Sequence, residues 1–125
     1  MIIDDAYQMK MVRIYNMEKK IMEISKKDWK LFREKLPKWQ EKYMEKLNQE
    51  YIELLQKEGN ASDKFWKLEK RIRNDKKKSG VIVELRKSEL VYNLVELIRD
   101  GVIEICDLDE FSDDLKEIVR HFIER

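Results

Sequence analysis

Residues 25–59 read "SKKDWKLFREKLPKWQEKYMEKLNQEYIELLQKEG", and the fold turns on how this stretch is taken. Trp29, Phe32, Leu36, Trp39, Tyr43, Leu47, Tyr51 and Leu54 recur every three or four residues. That spacing gathers them into an aromatic-rich seam along one side of a long helix. Pro37 falls within the seam. A proline inside a helix removes one hydrogen bond and crowds the carbonyl four residues back, at a cost of roughly 3 kcal/mol. Because the stripe passes Pro37 in phase, the pattern predicts a kink or a minimal joint between two helices, not a loop. At the front, Ser25 followed by Asp28 approximates a capping box, with Asp where Glu is usual.

Outward from this helix, the glycines divide the chain. Gly59, Gly80 and Gly101 each stand where a helical pattern stops. On the N-terminal side, Tyr7, Met11, Ile14 and Ile21 fall at helical spacing behind Asp4 as N-cap, although Met9, Val12 and Met17 blur the stripe. Residues 1–23 therefore read as an N-terminal helix or extension, and residues 24–125 as the bundle domain. After Gly59, Ser62 is the expected N-cap of a helix whose inward face is Phe65, Leu68 and Ile72. After Gly80, Val81–Leu85 fits either a short strand or the start of a helix, and Val102–Ile105 would be its partner in a two-stranded ribbon. From Ser88 onward Leu90, Val91, Leu94, Val95, Leu97 and Ile98 cover more than half the circumference, which predicts the most buried helix. In the last helix Ser112 is the N-cap, Asp113 and Asp114 suit the positive helix end, and Phe111, Leu115, Ile118, Val119 and Phe122 share a face. Gly80 and Gly101 both begin Gly-Val-Ile and are followed by matching residues at a 21-residue offset, Leu94 with Leu115 and Arg99 with Arg120 among them. Two units fall short of the three or more that a repeat array needs, so the echo reads as shared local geometry.

The fold class that results is all-α: a single-domain helical bundle with one long Pro-kinked helix and room for a minor two-stranded ribbon. Composition agrees. Charged residues are 42% of the 125 and there is one proline, which suits long helices, while an equal apolar share argues against disorder. The net charge of +1 gives no bulk attraction to nucleic acid or membrane. No apolar run approaches the ~18 residues of a membrane span, and "MIIDDAYQMKMVRIY" is too acidic and too interrupted for a signal peptide. One cysteine suits a reducing compartment. The expectation is a cytoplasmic protein.

Candidate chemistry is sparse. Asp114, Glu117 and His121 converge on one helical face. A single histidine with two flexible acids, however, lacks the further histidine or thiolate that transition-metal sites recruit, so no metal-ligating, catalytic or cofactor-binding residue is expected. Cys106 has no base nearby in sequence and reads as a small buried thiol. Residues 64–78 carry eight bases against two acids, a local charge of +6, and residues 100–117 carry eight acids against one base, a local charge of −7. Lys70, Arg71, Arg73, Lys76, Lys77 and Lys78 would form a phosphate-gripping patch if the chain bound nucleic acid. The preferred reading makes this a solvated helix end. Trp29, Trp39, Tyr43 and Tyr51 are the candidate interaction surface, since these residue types anchor interfaces and the long seam outruns a small bundle; it would meet a protein partner or a second copy.

The run "SDKFWKLEKRIRNDKKKSGV", with "DLDEFSDDLKE" downstream, resembles a group of small uncharacterised helical proteins of Gram-positive anaerobic bacteria, over about residues 24–125. Some of that group carry the label multidrug transporter, which the lack of an apolar span argues against here. The resemblance implies a stand-alone bacterial domain and transfers no functional residue. The function expected is thus a non-catalytic protein-interaction or regulatory protein, with a nucleic-acid-binding regulator as the alternative.

Overall fold

A computed structural model describes residues 5–22 and 24–124. The described residues form five α-helices joined by turns and two short 3-10 segments, with no strand among them. The fold is an all-α helical bundle.

The quoted stretch is one continuous helix, α2, Lys26–Gln56, with Pro37 inside it. The proline leaves the Arg33 carbonyl without its usual helical donor, yet the seam stays in phase across it. Ser25 caps the helix, its Oγ accepting from the Asp28 amide at 3.0 Å.

What changes along α2 is the partner of the seam. Phe32 and Leu36 are buried, and Trp29, Leu31 and Trp39 pack beside them, in a core completed by α4 (Leu90–Arg99) and α5 (Asp113–Ile123). Leu90, Val91, Leu94, Val95 and Leu97 enter this core from α4, and Leu115, Ile118 and Val119 from α5. Ile24, Ile103, Leu108 and Phe111 close it. As its sequence implied, α4 is the most buried helix. Past Trp39 the seam leaves this cluster. Leu47 is buried outside it, and α2 contacts α3 (Ala61–Asp75) to make a two-helix arm. At 1.5 Å per residue, α2 extends about 25 Å beyond Trp39.

Two glycines serve different ends. Gly101 has φ 75°, and its amide donates to Ile98 O at 3.1 Å while Val102 N donates to Leu97 O at 2.9 Å. This pair of bonds satisfies the last carbonyls of α4 and needs a left-handed residue between them. Gly80 has no positive φ; a Cβ placed there would lie 2.0 Å from Tyr43 Cδ1, so the ring of α2 occupies the space a side chain would need.

Several expectations are corrected. Val81–Leu85 is neither strand nor helix start: the segment runs irregularly into a 3-10 turn at Lys87–Glu89, so no ribbon forms with Val102–Ile105 among the described residues. It is held by Asn93, buried in α4, whose Nδ2 donates to Glu84 O at 2.9 Å. Helix α3 has Asn60, not Ser62, at its N-cap position, without a side-chain cap bond, and Phe65 faces solvent, because α3 packs chiefly on α2 and its inward stripe narrows to the half-buried Leu68 and Ile72. Cys106 is exposed, in the 3-10 segment Ile105–Leu108 where Leu108 takes the inward position. Helix α1 spans Asp5–Met22, but Tyr7, Met11 and Ile14 are exposed and its contact is with α5. Asp4, the expected N-cap, lies outside the described residues.

Candidate interaction surfaces

The bundle is closed by two polar junctions, and what they use up determines what remains for function. The first joins the starts of α2 and α5. Asp28 is buried, and its carboxylate accepts from Ser112 N at 2.9 Å and Ser112 Oγ at 2.5 Å; Ser112 Oγ in turn accepts from Leu115 N at 3.3 Å. Asp28 thus completes the cap of a helix 84 residues away instead of closing a capping box on its own. The cleft beside it is about 150 Å³, well below the roughly 300–1,000 Å³ of small-molecule sites.

The second junction ties the base of the arm to α4. Ser79 is buried; its amide and hydroxyl donate to Asp100 Oδ2 at 2.9 and 2.7 Å, and its carbonyl accepts from Gln40 Nε2 at 3.0 Å. The adjoining cleft, about 160 Å³, is lined by Glu84, Glu89, Glu96 and Asp100 with Lys77 and Tyr92. Among the described residues no group of three or more His, Cys, Asp or Glu side chains is placed to hold a metal ion.

The aromatic seam is occupied from within. Trp29 stacks on Phe32 at 6.1 Å with Arg33 above it at 5.3 Å, and Trp39 meets Phe32 and Phe111, each at 6.4 Å. Tyr43 lies against Gly80. Tyr51 Oη donates to Asp75 Oδ2 at 2.6 Å. Burial and that bond to a carboxylate push the Tyr51 phenol up to about 12. All four rings are half-buried.

The basic patch is divided. Arg71 Nε donates to Asp75 Oδ2 at 3.1 Å, Arg71 Nη2 pairs with Glu50, and Arg73 pairs with Glu69. Lys70, Lys76, Lys77 and Lys78 are exposed, the last three in the turn that follows α3. Of the acidic segment, Asp100 serves Ser79 and Glu110 pairs with Lys35 at 3.1 Å. Asp114, Glu117 and His121 are exposed, with the His121 ring edge-on to Phe122 at 5.7 Å. At the exposed Cys106, local loss of hydration, the bond from Sγ to the Glu104 carboxylate at 3.6 Å and then Asp107 raise the thiol, which disfavours the nucleophilic thiolate.

Other aromatics are exposed, Tyr15 of α1 and Tyr92 of α4 among them, and two lie side by side. Phe65 and Trp66, 61% and 64% exposed, sit edge to face at 5.0 Å near the free end of the arm, and Ile52 and Leu55 of α2 are exposed on the same arm. Sequence reading put Phe65 inside on periodicity alone. The signal available was the adjacent Phe-Trp pair, because two neighbouring helix positions are 100° apart and a helix with one partner cannot bury both. No protein-family model, curated protein or solved structure matches the chain.

Proposed function

We propose that this chain is a non-catalytic interaction protein that offers the tip of the α2–α3 arm to a protein partner. The observation that carries this reading is the exposed Phe65–Trp66 pair on an arm that lies off the main core. Aromatic rings with little conformational entropy to lose are the side chains that dominate interface energetics. The arm is stiffened for presentation by Tyr51, Arg71, Asp75 and Glu50, which lock its two helices together. Lys64, Lys67 and Lys70 flank the pair in sequence with Asp63 and Glu69 among them, so the partner's matching surface is apolar at its centre and of mixed charge at its rim.

The test compares the chain with its F65A/W66A variant. Both side chains face water, so stability should change by no more than about 0.5 kcal/mol. Proteins retained from a lysate of the native host by the unaltered chain should be lost by the variant; retention of the same set by both refutes the reading. The rival, a nucleic-acid regulator, draws on the exposed Lys76–Lys78 turn. Duplex binding that falls steeply with salt and weakens in K76A/K77A/K78A would put it in first place.

A further inference from the structure

From Asp5 to Asn16 every side chain of α1 is exposed, although Tyr7, Met9, Met11, Val12, Ile14 and Tyr15 are large and apolar. In proteins most of a helix's stability comes from packing its apolar face. Its exposure is uneven: Ile14 is 39% exposed, whereas Met9 and Val12 are 60% and 57%. At 100° per residue Met11 and Ile14 lie on nearly the opposite side from Met9 and Val12, so the latter pair is on the more open side, although Tyr7, beside Ile14, is also 57% exposed. Extended along the helix, that outer line is Asp5, Met9, Val12, Asn16 and Lys19, with spacings of four, three, four and three. This is the spacing of a helix that lays a seam on another helix.

The charges on this seam select the occupant. Asp5 and Lys19 stand at its two ends, both exposed, and Val12 is the midpoint between them. Two copies of α1 laid antiparallel about a two-fold axis at Val12 bring Val12 onto Val12, Met9 against the partner's Tyr15 and Asn16, and Asp5 against the partner's Lys19 at both ends. A parallel pairing sets Asp5 against Asp5 and opposes nothing to advantage. The antiparallel arrangement also aligns the helix dipoles head to tail. We infer that α1 is the interface of a homodimer, pairing antiparallel with α1 of a second copy about Val12. The seam is about 22 Å long, and a single helix pair covers less than the roughly 800 Å² per partner of a standard interface, so the dimer is weak and concentration-dependent. It is independent of the Phe65–Trp66 surface.

Sedimentation equilibrium on the full chain tests this. A reversible monomer–dimer equilibrium is expected, with V12E raising Kd at least about 30-fold by burying two facing carboxylates. At low salt D5K or K19D alone should each weaken the dimer about 5-fold, and D5K/K19D together should restore it to within about 2-fold. In a C106S background, V12C should form a covalent dimer under oxidised glutathione without further change. A monomer at every concentration up to about 1 mM, a dimer indifferent to V12E, a charge swap that fails to restore, or a V12C that does not cross-link would each overturn the inference.

Discussion

Replacing Asp28 by alanine should damage the fold more than any other single change on the polar surface of α2. The carboxylate accepts two hydrogen bonds from Ser112, at 2.9 and 2.5 Å, in a setting where the residue is 3% exposed. Each bond to a charged acceptor contributes about 1.5–3 kcal/mol, and the first-turn acid adds about 0.5 kcal/mol against the α2 dipole. Water entering through the adjoining cleft recovers part of the loss by reaching the orphaned Ser112 amide. The expected cost is therefore near the lower bound, about 3 kcal/mol. S112A keeps its amide bond to Asp28 but loses the hydroxyl that both donates to Asp28 and caps Leu115 N, at about 2 kcal/mol. Since both substitutions remove the Ser112 Oγ–Asp28 bond, D28A/S112A should cost about 3.5 kcal/mol, leaving a coupling of about 1.5 kcal/mol. Urea unfolding followed by far-UV circular dichroism measures all four species, and D28A should lower Tm by roughly 10 °C. A D28A cost below about 0.5 kcal/mol, or a double variant that equals the sum of the singles, would refute the claim that this junction fixes α5 on α2.

Two further predictions concern the arm. G80A forces a methyl to within 2.0 Å of the Tyr43 ring and should cost about 2–3 kcal/mol, while in a Y43A background the same substitution should be nearly neutral; thermal melts of the four species decide it. For Tyr51, the folded phenol at about 12 lies above its ordinary value of 10.0, so its contribution is whole below pH 10 and is lost as pH rises from 10 to 12. Y51F should be less stable than the unaltered chain by about 1 kcal/mol at pH 8, and denaturant titrations should show that gap closing across the window; a gap that widens there would contradict the assignment.

The sequence made the helices legible because their seams are long and the chain is poor in alternatives. Leu90 to Leu97 and Leu115 to Val119 sit in the core as their spacing implied, and Ser112 caps α5 as its position implied. The junctions were hidden for a physical reason. Asp28 sits where a local capping box is the short-range explanation, whereas its partner is 84 residues distant and periodicity carries no information at that range. Gly80 looked like another left-handed stop but is a point of contact with Tyr43, which only packing reveals. Phe65 failed because a repeat says which residues lie on one side, not whether anything lies across from them; Cys106 failed because a residue type's usual burial does not say which position of a 3-10 turn points inward, here Leu108. Asn93, a lone amide in the most apolar helix, was the one polar anchor that its sequence context could have exposed.

The division of α2 between two partners has a kinetic consequence. The main core is assembled from residues near 24–39 and 90–123, so its formation must close a long stretch of chain, whereas the arm joins segments that follow one another directly. Once Tyr43 has met Gly80, that stretch is already gathered, and closing the remainder is cheaper by about 1 kcal/mol. The α2–α3 hairpin, like the α4–α5 pair, would therefore form without that long closure and act as the staple that brings the two halves of the core together.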